Sequence, residues 1–388
     1  MMGSHRVDGH QLTLLQNGEE YFPQLCADIE AAQSSIYLET YIFNADETGG
    51  MVAAALRHAA LRGVSVRVLL DGFGSAELPQ SWLDELRTAG VQVQWFRREI
   101  YRFKMRRHRL RRLHRKLAVM DGEVAFISGI NIINDLPEFD GFDSPRLDYA
   151  VRVQGEVAGE VDAVMRHLWS AVSWASLRKR GKRIEHFILG NGHRPALPNL
   201  ALLLRDNLRH RRDIERAYLK AIAGAQREII IANAYFLPGR LFRRALRQAA
   251  QRGVRVVLLL QGRVEYRLQH YATHALYDRM LATGIEIYEY QASYLHAKVA
   301  VVDGEWATVG SSNIDPFSLL LAREANLVVR DSGFAQELRA SLLAAIGRDA
   351  VRIEPSHWRK SNVLARALMR SSYGMVRMLV GLLGRKRH

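Results

Sequence analysis

The sequence predicts an α/β protein of two similar halves, each a mostly parallel mixed β-sheet flanked by helices, packed with pseudo-two-fold symmetry. Three observations predict it. A frame of chemistry-bearing residues occurs twice at the same internal spacing. Apolar strand-like runs alternate with helical periodicity in the same order in both parts of the chain. The 388 residues suffice for two domains of ordinary size with a sizeable core.

In chain order, Ala32 to Tyr41 has the apolar, β-branched and aromatic content of a strand, and Val52 to Leu61 carries apolar residues at helical spacing. Gly63 to Gly72 reads as a buried strand ending in a turn. The second half repeats the series with a strand from Ala225 to Ile231, a helix from Leu241 to Gln251 and a strand from Gly253 to Gly262. A further helix and strand follow in each half, the strands at Ala89 to Val93 and Thr283 to Ile287. Strands alternating with helices of this length imply βαβ units, hence parallel pairing. Leu117 to Met120 and Val299 to Val302 are then strands ending at Asp121-Gly122 and Asp303-Gly304, with return strands at Val124 to Ile127 and Trp306 to Val309.

The expected boundaries are a first half at residues 1–199, a second at 200–355 and a basic amphipathic tail at 356–388. The inter-half linker is placed at roughly residues 175–200, after the cluster Arg178 to Arg183. The first half carries an insertion at 97–113 in which Tyr101, Phe103, Met105 and Leu110 interleave with arginines. Such a mixture fits an interfacial segment, with rings among lipid headgroups and arginines on their phosphates.

A net charge of +15 implies an anionic partner without choosing among nucleic acid, acidic lipid and phosphorylated substrates. The single cysteine, Cys26, excludes an internal disulfide framework and a Cys-based zinc site, and is expected as a small buried apolar side chain. The sequence shows neither an apolar core of signal-peptide type nor an uncharged apolar run long enough to span a membrane. A cytoplasmic location at a membrane surface is the expectation.

The repeated frame is H-x-K-x4-D followed by small residues and an asparagine: His114, Lys116, Asp121 and Asn131, then His296, Lys298, Asp303, Ser311 and Asn313. Imidazole attacks electrophiles near neutral pH and also protonates a leaving oxygen. Residues two apart on a strand share a face, so each histidine and its lysine address one pocket. Lysine suits a phosphoryl oxygen, and Asn131 and Asn313 offer amide donors. Two imidazoles, two ammoniums and two amides match what phosphodiester transfer needs. No metal or cofactor is required, because the lysines supply the charge stabilisation. Asp121 and Asp303 stand before glycine, where turn formation and packing weigh more than direct catalysis. Asp148 and Glu324 open strand-like runs at matching places and are candidates to accept the other ring N–H of the histidines. Asp71 ends a strand where it either lines the site or forms a turn, and Glu39 is a weaker candidate for substrate contact.

Paired frames of this kind in a duplicated α/β chain resemble the phospholipase D superfamily, and within it the B-type cardiolipin synthases of bacteria. The stretches Leu38 to Phe43, Val68 to Ser75, Asp213 to Arg216, Ile230 to Phe236 and Ala307 to Asn313 are similar to that group, whose likeness covers roughly residues 10–355. Where that family often has Gly-Gly, this chain has Ser128-Gly129. The resemblance implies a phosphatidyl transfer in two displacements. His114 attacks the lipid phosphodiester to give a phosphohistidine, and His296 protonates the leaving alcohol and then deprotonates the incoming hydroxyl. By the same resemblance the catalytic set is His114, Lys116, Asp121, His296, Lys298 and Asp303, with Asn131, Asn313 and Ser311 on the phosphate. The implied substrates and partners are phosphatidylglycerol, cardiolipin and the surface of the bacterial inner membrane. Hydrolysis of phospholipid or nucleic acid by the same site is the alternative, although no regular aromatic-basic platform for bases is visible. Acceptor lipid and oligomeric state are left open.

Overall fold

The computed structural model describes residues 3–97, 111–136, 144–179, 199–206, 210–315, 322–355 and 363–384. Two sheets are formed. The first contains β1 (Ser4–Val7), β2 (His10–Gln16), β3 (Ser35–Thr40), β4 (Ser65–Asp71), β5 (Gln92–Phe96), β7 (Lys116–Met120), β8 (Val124–Ser128) and β9 (Tyr149–Gln154), in the order β1-β2-β9-β8-β7-β3-β4-β5. Between β5 and β7, the short β6 (Arg112–Leu113) leaves this sheet for the other. The second sheet has β10 (Leu200–Arg205), β11 (Glu228–Asn233), β12 (Arg255–Gln261), β13 (Glu286–Tyr290), β14 (Lys298–Val302), β15 (Trp306–Gly310), β16 (Ala322–Val329) and β17 (Ala350–Arg352). Its order is β10-β16-β15-β14-β11-β12-β13-β17, with β6 added alongside β16.

The pairing corrects one expectation. Only β3-β4-β5 and β11-β12-β13 run parallel within their sheets, while every other neighbour in the two orders is antiparallel. The sheets are therefore mixed rather than mostly parallel. The βαβ units supply the parallel pairs as expected, but the two hairpins and the edge strands that extend each sheet are antiparallel by construction.

The central strands are apolar on both faces because both faces are covered. In β4, Val66, Val68 and Leu70 point to the outer helices Asn17–Ala31, Glu47–Leu61 and Gln80–Thr88, while Leu69 points to the middle of the molecule. In β12, Val256, Leu258 and Leu260 face outward and Val257 and Leu259 inward. The inward residues of both sheets belong to one core, which includes Val157, Val161, Met165 and Leu168 of helix Glu156–Lys179 and Phe334, Leu338 and Leu342 of helix Ser332–Asp349. Strands β8 and β9 meet β15 and β16 across this middle layer. A polar chain also crosses it: the Tyr149 hydroxyl shares a 2.7 Å hydrogen bond with Ser341, whose own hydroxyl donates to Gln16 at 2.7 Å.

Both hairpins turn as their Asp-Gly pairs require. Asp121 and Gly122 have φ of 55° and 73°, and Asp303 and Gly304 have 55° and 66°. Two successive left-handed residues are the type I′ signature that matches strand twist. Each aspartate also accepts backbone N–H groups at the start of the neighbouring strand: Gln33, Ser34 and Ser35 for Asp121, and Gln226, Arg227 and Glu228 for Asp303. Cys26 is half-buried, packed against the outer core of the first half.

Most of the basic insertion (98–110) and of the expected linker (180–198) lies outside the described residues. The tail contributes helix Val363–Gly384, which packs on helix Arg267–His274. Val376 and Ser372 are buried against the second half, whereas Leu368, Met375 and Met378 remain exposed. No helix among the described residues is long and apolar enough to cross a membrane.

Removing either hairpin carboxylate is a test of its role. Asp121→Ala or Asp303→Ala strips three N–H groups of their acceptor, and water replaces part of the loss, so about 1–2 kcal/mol of stability should disappear in urea unfolding. Turnover per folded molecule should stay within a few-fold of the parent, whereas a participant in the chemistry would lose orders of magnitude.

Candidate active site

Each H-x-K segment is tied into the opposite half. Strand β6 pairs in parallel with β16, Arg112 opposite Ala322 and Leu113 opposite Arg323. The His114 amide then donates to the Arg323 carbonyl at 3.0 Å. In the second half Leu295 bridges to Leu147, and the His296 amide donates to the Leu147 carbonyl at 2.9 Å. The residue before each histidine is held by its own half: Leu113 N–H donates to Asp71 Oδ2 and Leu295 N–H to Gln261 Oε1, both at 2.7 Å.

The imidazoles follow the same rule. His114 Nδ1 lies 3.1 Å from Glu324 Oε2, and His296 Nδ1 lies 2.5 Å from Asp148 Oδ2. Each histidine of one half thus donates Nδ1–H to a carboxylate of the other, which leaves Nε2 as the working nitrogen. The two carboxylates expected to orient the rings do so across the interface. Lys116 Nζ donates to the His114 carbonyl at 2.7 Å, while Lys298 Nζ donates to the His296 carbonyl and lies 3.3 Å from Asp148 Oδ2.

These groups share one electrostatic neighbourhood. Burial, and after it the charge of Lys298, pushes the Lys116 ammonium down to about 7. Burial also lowers Lys298, against the pull of Asp148 and Glu324. His296 is pushed down to about 3 by burial and by Lys298, which holds this ring neutral. Burial works to raise Asp148 and Glu324, but Lys298 with His296, and His114 with Lys116, outweigh it and keep both carboxyls below their ordinary range.

The remaining expected residues divide. Asn131 Oδ1 accepts from Ile42 N–H at 3.3 Å and Asn313 Oδ1 from Tyr235 N–H at 3.4 Å, so among the described residues each amide has its NH2 as the untied end. Ser311 does not offer its hydroxyl to a ligand: fully buried, it donates to Glu324 Oε2 at 2.6 Å and accepts from Ala325 N–H at 3.1 Å. It supports the carboxylate rather than the phosphate. The matching residue is Gly129, where a Cβ would come within 2.3 Å of Asp148 Oδ1. A short carboxylate beside glycine thus replaces a long one beside serine. Asp121 and Asp303 are not gathered with the histidines, because each lies past the far end of the strand, Lys116–Met120 or Lys298–Val302, that its lysine opens. Asp71 both holds Leu113 and closes its turn by accepting from Phe73 and Gly74.

Two features escaped sequence reasoning. Glu39, weighed above for substrate contact, is instead engaged by Arg115, the residue between His114 and Lys116, whose Nε and Nη2 both donate to it; both side chains are buried. The aligned second-half positions are Ala232 and Ala297, so the pair was visible as a joint difference between the repeats. Tyr41 stacks at 4.9 Å between ring centroids on His114, with Lys116 Nζ 5.5 Å from the same ring.

The family described as "Cardiolipin synthase, PLD-like domain" matches residues 25–169 and 218–345. The chain is 41% identical over 347 residues to Cardiolipin synthase B of Escherichia coli (strain K12), covering 89% of this chain and 83% of that protein. It is 32% identical over 326 residues to a cardiolipin synthase of Geobacillus kaustophilus (strain HTA426), covering 84% of this chain and 64% of that one. Among solved structures, a phosphatidylserine synthase from Haemophilus influenzae Rd KW20 superimposes with a TM-score of 0.70 at 14% identity, covering 97% of this chain and 96% of the other, which establishes likeness of fold.

The buried Glu39–Arg115 pair gives a second prediction. Arg115→Ala alone strands a buried carboxylate and should cost about 3–5 kcal/mol. The double change Glu39→Ala with Arg115→Ala copies the second half's alanines and should recover most of that loss in denaturant titration. Equal destabilisation in the single and double variants would contradict it.

Proposed function

The chain belongs to the family of phospholipase D-like cardiolipin synthases, and on that premise we propose that it makes cardiolipin by phosphatidyl transfer between two phosphatidylglycerol molecules, releasing glycerol. The observation that carries this reading is the pair of imidazoles, each with Nδ1 bound to a carboxylate of the opposite half, beside two buried ammoniums.

In the proposed sequence, His114 Nε2 attacks phosphorus, the bond to the glycerol oxygen breaks, and His296 delivers a proton to that oxygen. The incoming phosphatidylglycerol hydroxyl then loses its proton to His296 and attacks the same phosphorus, breaking the N–P bond. Lys116, Lys298 and the amides of Asn131 and Asn313 take up charge on the non-bridging oxygens. His296 is held neutral by burial and by Lys298, as the second step needs. For the first step it must gain a proton, which the negative charge of a bound phosphodiester favours. That neutrality equally favours the reverse order, with His296 attacking, and mapping the trapped phosphohistidine by peptide mass spectrometry separates the two.

The proposed workplace is the cytoplasmic face of the bacterial inner membrane. Helix Val363–Gly384, which exposes Leu368, Met375 and Met378 along with Arg370 and Arg377, suits peripheral contact with anionic lipid.

Purified protein incubated with phosphatidylglycerol vesicles in EDTA should yield cardiolipin and glycerol. Phosphatidic acid as the main product would indicate hydrolysis instead, and loss of turnover restored by a divalent ion would refute a metal-free site. His114→Ala and His296→Ala should each lower transfer by about 10³-fold or more.

The depressed Lys116 adds a pH dependence. An anionic headgroup stabilises the ammonium, so the bound-state pKa lies above the empty-site value of about 7. Between those values binding takes up a proton, and affinity should fall as pH rises, by up to about tenfold per unit. Titration calorimetry of short-chain phosphatidylglycerol in two buffers of different ionisation enthalpy measures the uptake, and its absence above pH 7 would contradict the assignment.

A further inference from the structure

The two halves share a scaffold, so a difference between them beside the histidines marks a difference in task. The asparagine bonds fix the alignment: Ile42 N–H on Asn131 corresponds to Tyr235 N–H on Asn313, which places Tyr41 opposite Ala234. In the first half the Tyr41 ring fills the space against His114. In the second half alanine leaves a cleft whose lining includes Ala234, Tyr235, Gln261, Arg263, Glu265 and Tyr266.

This cleft is built onto the His296 side of the site. Gln261 uses Oε1 to hold Leu295, the residue before His296, and Tyr235 rests its N–H on Asn313. The field of Glu265 reaches Lys298. The Tyr235 hydroxyl donates to Glu265 Oε2 at 2.5 Å, and the Tyr235 and Tyr266 rings lie 5.9 Å apart, edge to face. Gln261 Nε2 is buried with no partner among the described residues.

The lining joins the Glu265 carboxylate to neutral donors, and its one guanidinium among the described residues, Arg263, is tied by Nε to the Gln291 carbonyl at 2.7 Å. A second phosphate would meet the Glu265 charge, and an acyl chain would strand the polar groups. An ammonium group would satisfy Glu265 but leave the Gln261 amide donor unused. A polyol uses both kinds of group, since each hydroxyl donates and accepts. We propose that this cleft is the subsite for the glycerol headgroup whose oxygen leaves in the first displacement and, on the second lipid, attacks in the other. The inference rests on the phosphatidyl-transfer reading above. In the second displacement the bound alcohol's O–P bond forms as the N–P bond breaks, and the hydroxyl proton passes to His296 Nε2. The cleft sets which hydroxyl faces that nitrogen, whereas Tyr41 closes the His114 side to the same group.

The test runs the reaction backwards, with cardiolipin in phosphatidylcholine vesicles and either glycerol or methanol as acceptor. Methanol has one hydroxyl and no second group for the cleft to hold. Ala234→Tyr fills the cleft as the first half does, and Glu265→Gln, at an exposed position, removes its charge without threatening the fold. Each should raise the glycerol KM and lower the glycerol-to-methanol ratio of kcat/KM by about tenfold or more. A ratio unchanged in both variants, with parent protein that transfers normally, overturns the subsite alone. Cleavage of cardiolipin releases phosphatidylglycerol with any acceptor, so a parent protein that gives phosphatidic acid and no phosphatidylmethanol overturns the transfer reading and the subsite with it.

Discussion

His114 reaches Glu324 and His296 reaches Asp148, so the imidazole of each half is held by a carboxylate of the other. Both carboxylates are buried, and each adds an imidazole of the other half to a hydrogen bond from its own, Ser311 on Glu324 and Tyr149 N–H on Asp148. The backbone repeats the exchange through β6 on β16 and the bridge between Leu147 and Leu295. Orientation of the rings and association of the halves are therefore one event. A half folded by itself would lack the carboxylate that accepts Nδ1–H from its imidazole.

The duplication supplies common geometry and divides the work by substitution at matched positions. Asp71 and Gln261 hold the same amide, one charged and one neutral. Gly129 with Asp148 and Ser311 with Glu324 solve the same spatial problem with carboxylates of different length. The buried Glu39–Arg115 pair faces a pair of alanines, and Tyr41 faces Ala234. These exchanges leave the backbone arrangement intact while making the surroundings of the two histidines unequal. Inequality is useful to a reaction in which one imidazole carries the phosphoryl group and the other carries a proton.

The lysines illustrate how the fold sets their chemistry. An ammonium in water would hold its proton far above neutrality, whereas Lys116 is brought to about 7 by burial and by its twin. Two cations held together out of water favour an anion between them. Such a site is least favourable when empty and gains stabilisation as negative charge arrives.

The sequence by itself determined the duplication, the βαβ units, the Asp-Gly hairpins and the identity of His114, Lys116, His296 and Lys298, because each is a local pattern of spacing or propensity. It also pointed to Asp148 and Glu324, which recur at matched places. Sheet composition was less legible: the βαβ units read as parallel, but the antiparallel extensions depend on which distant strand reaches each edge. Ser311 lies within the repeated frame, yet its hydroxyl turns to Glu324, a choice made by packing. Crossing of the carboxylates and the cleft beside Ala234 belong to the tertiary structure, as does the contact of Arg115 with Glu39, of which the sequence carried only the joint replacement by alanine. Packing of one half on the other fixes the first, whereas packing within a single half fixes the contact of Arg115 with Glu39 and the cleft.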